Sequence, residues 1–150
     1  SVGAYHVLEL DTDGTKQAEH FINAVGEDLS GRLIPAVEVR LRGLYRLLPP
    51  DYYEAADNLA DFCDRIEKQY GVRPVIYCTE RTYKNIVASD SRFNKDKIWY
   101  ESLFSKPDED MDWTFWTYTN RVKFSFYESG EYLHMTVFNG SEDDFKKLII

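Results

Sequence analysis

Residues 33–40 read Leu33-Ile34-Pro35-Ala36-Val37-Glu38-Val39-Arg40. The run is apolar until its end, where it delivers two charges two positions apart. In a β-strand, residues i and i+2 lie on one face. Glu38 and Arg40 are therefore expected to point to one place, at the C-terminal end of a buried strand. Two carboxylates there would make an acid–base pair. Here one of the two positions carries a permanent cation, which donates hydrogen bonds but no proton.

Outward from this strand, elements alternate. A strand is expected at about 2–8, then Asp11-Thr12-Asp13-Gly14 and a helix at about 15–25 with Ala18, Phe21, Ile22 and Val25 on one stripe. Beyond the central strand lies a loop from Arg42 to Pro50. The clearest helix follows Pro49-Pro50 and runs to about Tyr70, with Ala55, Ala56, Leu59, Phe62, Cys63, Ile66 and Tyr70 at three- and four-residue steps. Asp51 and Glu54 suit its first turn and Gly71 its end. Pro74 to Cys78 reads as a strand, about 80–87 as a short helix, and Ile98-Trp99-Tyr100 as a short strand.

After residue 113 the pattern changes. Trp113 to Tyr118, Val122 to Tyr127 and Tyr132 to Phe138 read as strands, with Glu128-Ser129-Gly130-Glu131 as a hairpin loop. A last helix starts near Ser141. Near-continuous apolar strands alternating with helices predict an α/β fold with a parallel sheet buried on both faces. No domain boundary is visible within residues 1–150.

The composition narrows the function. The chain has 150 residues, 43% hydrophobic and 15% aromatic, which suffices for a core. Its formal net charge of −8 argues against a nucleic-acid partner and against docking to an anionic membrane. Cys63 and Cys78 read as small core hydrophobes rather than a disulfide framework. No metal-ligand spacing surrounds them, and neither a metal nor a cofactor is expected.

The order and spacing of several short pieces resemble the glycoside hydrolase family 25 lysozymes, the Chalaropsis-type muramidases. Gly3-Ala4-Tyr5-His6 resembles the family's Gly-Ala-Tyr-His strand, and Asp11 to Gly14 with Lys16-Gln17-Ala18 the turn and helix start after it. Pro35 to Arg40 falls on the acidic strand, and Gly71 to Tyr77 on the next. Ile98-Trp99, Trp113 to Tyr118, and Val137 to Gly140 with Phe145 fit the later strands and C-terminal signature. The resemblance implies an irregular TIM-like β/α barrel, entered here at the third strand. Two adjacent strands, one carrying an active-site aspartate, have no counterpart. The open edges then call for a cover: a second copy of the chain, an upstream or exchanged segment, or a rearranged hairpin. A secreted or cell-wall location and a peptidoglycan or other glycan partner are likewise implied.

The departures from the family lie at its chemistry. Its fourth strand ends Asp-x-Glu, with the glutamate as general acid; the matching positions are Glu38 and Arg40. Its last strand typically reads Asp-x-Asn, matched by His134 and Thr136. Its Trp-Gln-Tyr is Trp116-Thr117-Tyr118. Glu38 is the remaining catalytic candidate, as a base or stabiliser, against pairing with Arg40. Glu9 and Glu101 are possible stand-in acids, against the plainer reading as solvated strand-end charges. His134 reads as a rim or core histidine before it reads as a catalyst. Tyr5, Tyr77, Trp99, Trp116 and Tyr118 are candidate sugar platforms, or barrel core. Arg40, Arg42 and Arg46 could recognise an anion, or form a solvated loop. Two functions compete: a muramidase-type domain without hydrolysis, kept for glycan binding or protein interaction, and an active peptidoglycan-hydrolysing lysozyme with altered acid and base.

Overall fold

Local sequence fixes the ends of the elements. In the computed structural model, which describes residues 2–123 and 132–150, the first strand β1 (Tyr5–Val7) leads into helix α1 (Gly14–Val25). The Asp13 side chain caps α1 by accepting from the backbone N–H of Lys16 at 2.9 Å. The central strand β2 (Ala36–Val39) is followed by a 3₁₀ turn at Gly43–Arg46 and then helix α2 (Tyr52–Tyr70). Asp51 accepts from the N–H groups of Tyr53 and Glu54, and Gly71 ends the helix at φ 74°, in the left-handed region a glycine enters without strain.

Strand β3 (Val75–Thr79) continues into α3 (Glu80–Thr82) and a π-helical turn at Tyr83–Val87. The single helix expected at 80–87 is thus two short pieces. Strand β4 (Ile98–Glu101), strand β5 (Phe115–Val122), strand β6 (Leu133–Phe138) and helix α4 (Glu142–Lys146) complete the chain. The strand expected to end at Tyr118 instead begins at Phe115 and runs on to Val122. Most of the next expected strand, and the hairpin loop at 128–131, lie outside the described residues.

The six strands of the described residues join one sheet in the order β1-β2-β3-β4-β5-β6. The first five are parallel, and β6 runs antiparallel to β5 with register shifts beyond Thr117. Among the described residues no ladder joins β6 to β1, and the sheet's strand order runs from one to the other without closing. Its base is braced by the C-terminal residues: Gly31 donates to the Ile150 carbonyl at 2.7 Å and Ile34 to that of Leu148 at 2.8 Å.

Strand alternation divides the sheet into two surfaces. One carries Val37, Val39, Ile76, Cys78, Ile98 and Tyr100 into a single core with Leu59, Phe62 and Ile66 of α2 and Phe21 of α1. Each fully buried side chain of this kind stabilises the fold by about 2–3 kcal/mol. His6 belongs here, stacked on Phe62 at 5.0 Å and bonded to Gln17 at 3.1 Å. Gly14 lets α1 and α2 touch: a Cβ there would sit 1.8 Å from the Asn58 carbonyl oxygen. The opposite surface carries the charges.

Candidate functional site

The register aligns Glu38 with Tyr77 and Tyr77 with Trp99 across three neighbouring parallel strands. Two residues farther along β4, on the same face, stands Glu101. Just past the end of β2, on the face of Glu38, stands Arg40. These five side chains, with Tyr5, Arg42, Asn120 and His134, surround a cleft of about 380 Å³ at the C-terminal ends of the parallel strands. Loops at this end of a parallel sheet vary without disturbing the ladder, which is why sites are built there.

Arg40 organises the cleft. Its Nε donates to Glu38 Oε1 at 2.7 Å, and its Nη1 and Nη2 donate to the two oxygens of Glu101 at 3.0 and 2.7 Å. Arg42 donates to the other oxygen of Glu38 at 3.0 Å. The Tyr77 hydroxyl donates to Glu101 and accepts from Arg40 at 3.2 Å. Glu38 and Glu101 are only 7% and 9% exposed, yet two arginines balance the two carboxylates. The strand end is itself fixed: buried Thr82 donates its hydroxyl to the Val39 carbonyl at 2.8 Å, between the two charged residues.

The electrostatics follow from this bonding. Burial alone would raise the Glu101 carboxyl, but the hydrogen bonds from Arg40 and Tyr77 outweigh it and hold the group below its ordinary 4.5. Burial opposes the charge on Arg40, while bonds to Glu101 and Glu38 more than restore it. The Tyr77 hydroxyl is pushed up, first by burial and then by its bond to Glu101. Arg40 and Glu101 are thus held as a charged pair, with the Tyr77 hydroxyl kept neutral beside them.

Beside it lies an aromatic wall. Tyr77 stacks on Trp99 at 4.7 Å and 29°, and Trp99 Nε1 donates to Thr117 Oγ1 at 2.9 Å. Thr117 in turn bonds Thr136 at 2.7 Å, hydroxyl to hydroxyl. These threonines occupy two of the positions where the family resemblance calls for other polar groups, and they satisfy each other.

The structure brings together Glu38, Arg40, His134, Tyr5, Tyr77 and Trp99. It does not bring Trp116 or Tyr118 into the cleft. Trp116 pairs in register with Tyr100 and packs against the helix-side core, with Nε1 donating to the Ser102 carbonyl at 3.0 Å. Tyr118, two residues on, rests against Trp116 at 5.7 Å. Both have the opposite parity from Thr117, which the aromatic run 113–118 does not reveal. Glu9 is exposed, as its plainer reading expects. Glu101 is not a solvated charge but the second partner of Arg40. The repeat Trp99-x-Glu101, parallel to Glu38-x-Arg40, was the available signal for it.

Similarity to known proteins follows the same outline. The family model for Glycosyl hydrolases family 25 matches residues 1–125. The chain belongs to this family. It is similar to a solved family 25 glycosyl hydrolase from Bacillus anthracis at 30% identity and TM-score 0.85, over 99% of this chain and 69% of that one. The fold is shared with the bacterial lysozyme from Streptomyces coelicolor at TM-score 0.78 and 23% identity, over 98% of this chain and 71% of that one. It is shared also with a muramidase from Acremonium alcalophilum at TM-score 0.73 and 23% identity, over 97% and 71%. No curated protein matches the chain in sequence. The mixed α/β class and the muramidase-type domain expected from the sequence both stand.

Proposed function

We propose that this family 25 domain binds a peptidoglycan-type glycan and does not hydrolyse it. The observation that carries the reading is the Arg40 guanidinium bonded to both cleft carboxylates at once. A glycosidase needs one carboxyl that is protonated before it attacks, with its pKa raised. Glu101 is shifted the other way. Glu38 spends both oxygens on arginines. A fixed cation in the cleft also opposes the positive charge that develops on the sugar in an oxocarbenium-like transition state. General-acid catalysis contributes on the order of 10²–10⁴ in rate, and neither Glu38 nor Glu101, so bonded, is suited to supply it. The relatives named lysozyme and muramidase support the ligand class, and the Tyr77–Trp99 wall with Tyr5 at its rim supplies apolar ring faces for the C–H surface of a sugar.

The test uses the folded chain on purified peptidoglycan. Expected are saturable binding, seen as a tryptophan fluorescence change, and no clearing of a turbid suspension. Clearing that Glu38→Gln or Glu101→Gln abolishes would establish the competing reading, an active lysozyme with altered acid and base. The outer edges of β1 and β6 remain the proposed place for a second copy or an upstream segment to pair.

A further inference from the structure

Arginines on this chain are not all treated alike. Arg65 holds Glu19 at 2.6 Å, Arg73 holds Asp64 at 2.5 Å and Asp96 at 2.6 Å, and Arg92 holds Asp57 at 2.7 Å and Asp90 at 2.6 Å. Past the ends of β2 and β3 the pattern differs. Arg40, Arg46 and Arg81, with Leu41 and Thr79, line a shallow pocket of about 230 Å³. Among the described residues no carboxylate lies within ion-pair reach of Arg46 or Arg81. Instead Arg81 Nη1 donates to the main-chain carbonyl of Arg46 at 3.4 Å, which ties α3 to the 3₁₀ turn. Both side chains are exposed.

The chain has 26 acidic and 18 basic residues, so partners are in supply. Arg40 is already engaged by Glu38 and Glu101. Arg46 and Arg81, with no carboxylate partner among the described residues, carry like charge on the same rim. An oxyanion between them gains charge-assisted hydrogen bonds. A guanidinium fork suits carboxylate and phosphate alike. The pocket is also not separate from the cleft. Arg40 lines both and forms their shared wall. A ligand on Tyr77 and Trp99 that extends past Arg40 enters the pocket of Arg46 and Arg81.

Resting on the glycan reading of the cleft, we propose that this pocket is an oxyanion subsite. It takes a carboxylate or phosphate carried by the occupant of the cleft, which makes the ligand an anionic rather than a neutral glycan. Leu41, 8% exposed, gives the pocket an apolar back. The double variant Arg46→Gln/Arg81→Gln leaves the Glu38–Arg40–Glu101 cluster and the aromatic wall in place.

Calorimetric titration of the folded chain with three probes separates the possibilities. They are a neutral N-acetylglucosamine tetramer, a tetrasaccharide alternating N-acetylglucosamine with N-acetylmuramic acid and bearing free lactyl carboxylates, and a glycerol phosphate oligomer. At low salt the carboxylated sugar is expected to bind about tenfold tighter than the neutral one. That advantage falls below about twofold in Arg46→Gln/Arg81→Gln and in roughly 1 M salt, with neutral binding unchanged. Arg46→Lys/Arg81→Lys, which keeps the charge, retains part of the advantage. Arginine-dependent binding of the glycerol phosphate oligomer, in place of the carboxylated sugar, assigns the oxyanion to a polyol phosphate and keeps the subsite. Equal affinity for neutral and anionic probes, or an advantage that survives in the double glutamine variant, overturns the subsite and leaves the cleft reading intact. Arginine-dependent phosphate binding without any sugar binding sinks the cleft reading instead. Binding of none of the three overturns both.

Discussion

On the helix side of the sheet, β2 and β3 present Val37, Val39, Ile76 and Cys78. On the other side the same strands present Glu38 and Tyr77, with Arg40 just beyond. The backbone ladder is common to both, but the two surfaces are held in different ways. The covered side gains from apolar area removed from water, a sum of many small, exchangeable contributions. The open side is interlocked: each carboxylate is tolerable in its buried place because a particular guanidinium is there. Such a set is insensitive to replacement as a whole and sensitive to the loss of one member. The packing of one face therefore places few constraints on which residues the other face carries.

The largest expected effect lies on the covered face. Phe62 is fully buried and touches both His6 and Phe21. Phe62→Ala should lower unfolding free energy by about 3–5 kcal/mol in urea, with glycan affinity unchanged where the protein remains folded. A loss under about 1 kcal/mol would remove the distinction between the faces.

The next effect sharpens the comparison. Arg40→Leu leaves buried Glu101 without its cation and Glu38 with Arg42 alone, and should cost about 3 kcal/mol at pH 7. Adding Glu38→Gln and Glu101→Gln should recover most of it. The pH dependence reverses as well. In the native chain Glu101 titrates below its ordinary 4.5, so its contribution is complete above that value and is lost as pH falls through the lower folded value. Without Arg40, burial dominates and raises the carboxyl, so Arg40→Leu should gain stability on acidification from pH 7 to 4. Unfolding curves that move together at both pH values would show that the arginine does not set the charge state.

The smallest effect separates the two tryptophans. Trp116→Phe loses one hydrogen bond to Ser102 and should cost about 1 kcal/mol, leaving glycan binding as it was. Trp99→Phe should weaken glycan binding, since Trp99 lines the cleft. Equal losses of affinity in the two variants would put both faces in contact with the ligand.

Much of the helix side was legible in the sequence. The stripe on α2, the acidic cap at Asp51 and the stop at Gly71 are local signals, and the structure places each where periodicity and capping direct. The Glu38–Arg40 pair was legible for the same reason, since i and i+2 need no partner strand to share a face. Glu101 was not, because its meaning depends on register. Only when β4 is aligned to β3 does it stand beside Tyr77 and Arg40. Trp116 and Tyr118 stayed open between sugar platform and core, because residues 113–119 are all aromatic or threonine and show no dominant parity. Arg81 is 35 residues from Arg46 and meets it only through the connection from β3 to α3.

The two cysteines lie wholly on the covered side. Cys63 is 0% and Cys78 1% exposed, and burial raises both thiols far from the thiolate form. Thiolates, not thiols, react with oxidants and disulfides. While the fold holds, the domain is therefore indifferent to redox potential, and its shape is the same in a reducing compartment as in an oxidising one. Sulfur chemistry begins only when α2 lifts from the sheet, so thiol reactivity keeps time for the opening of that one face.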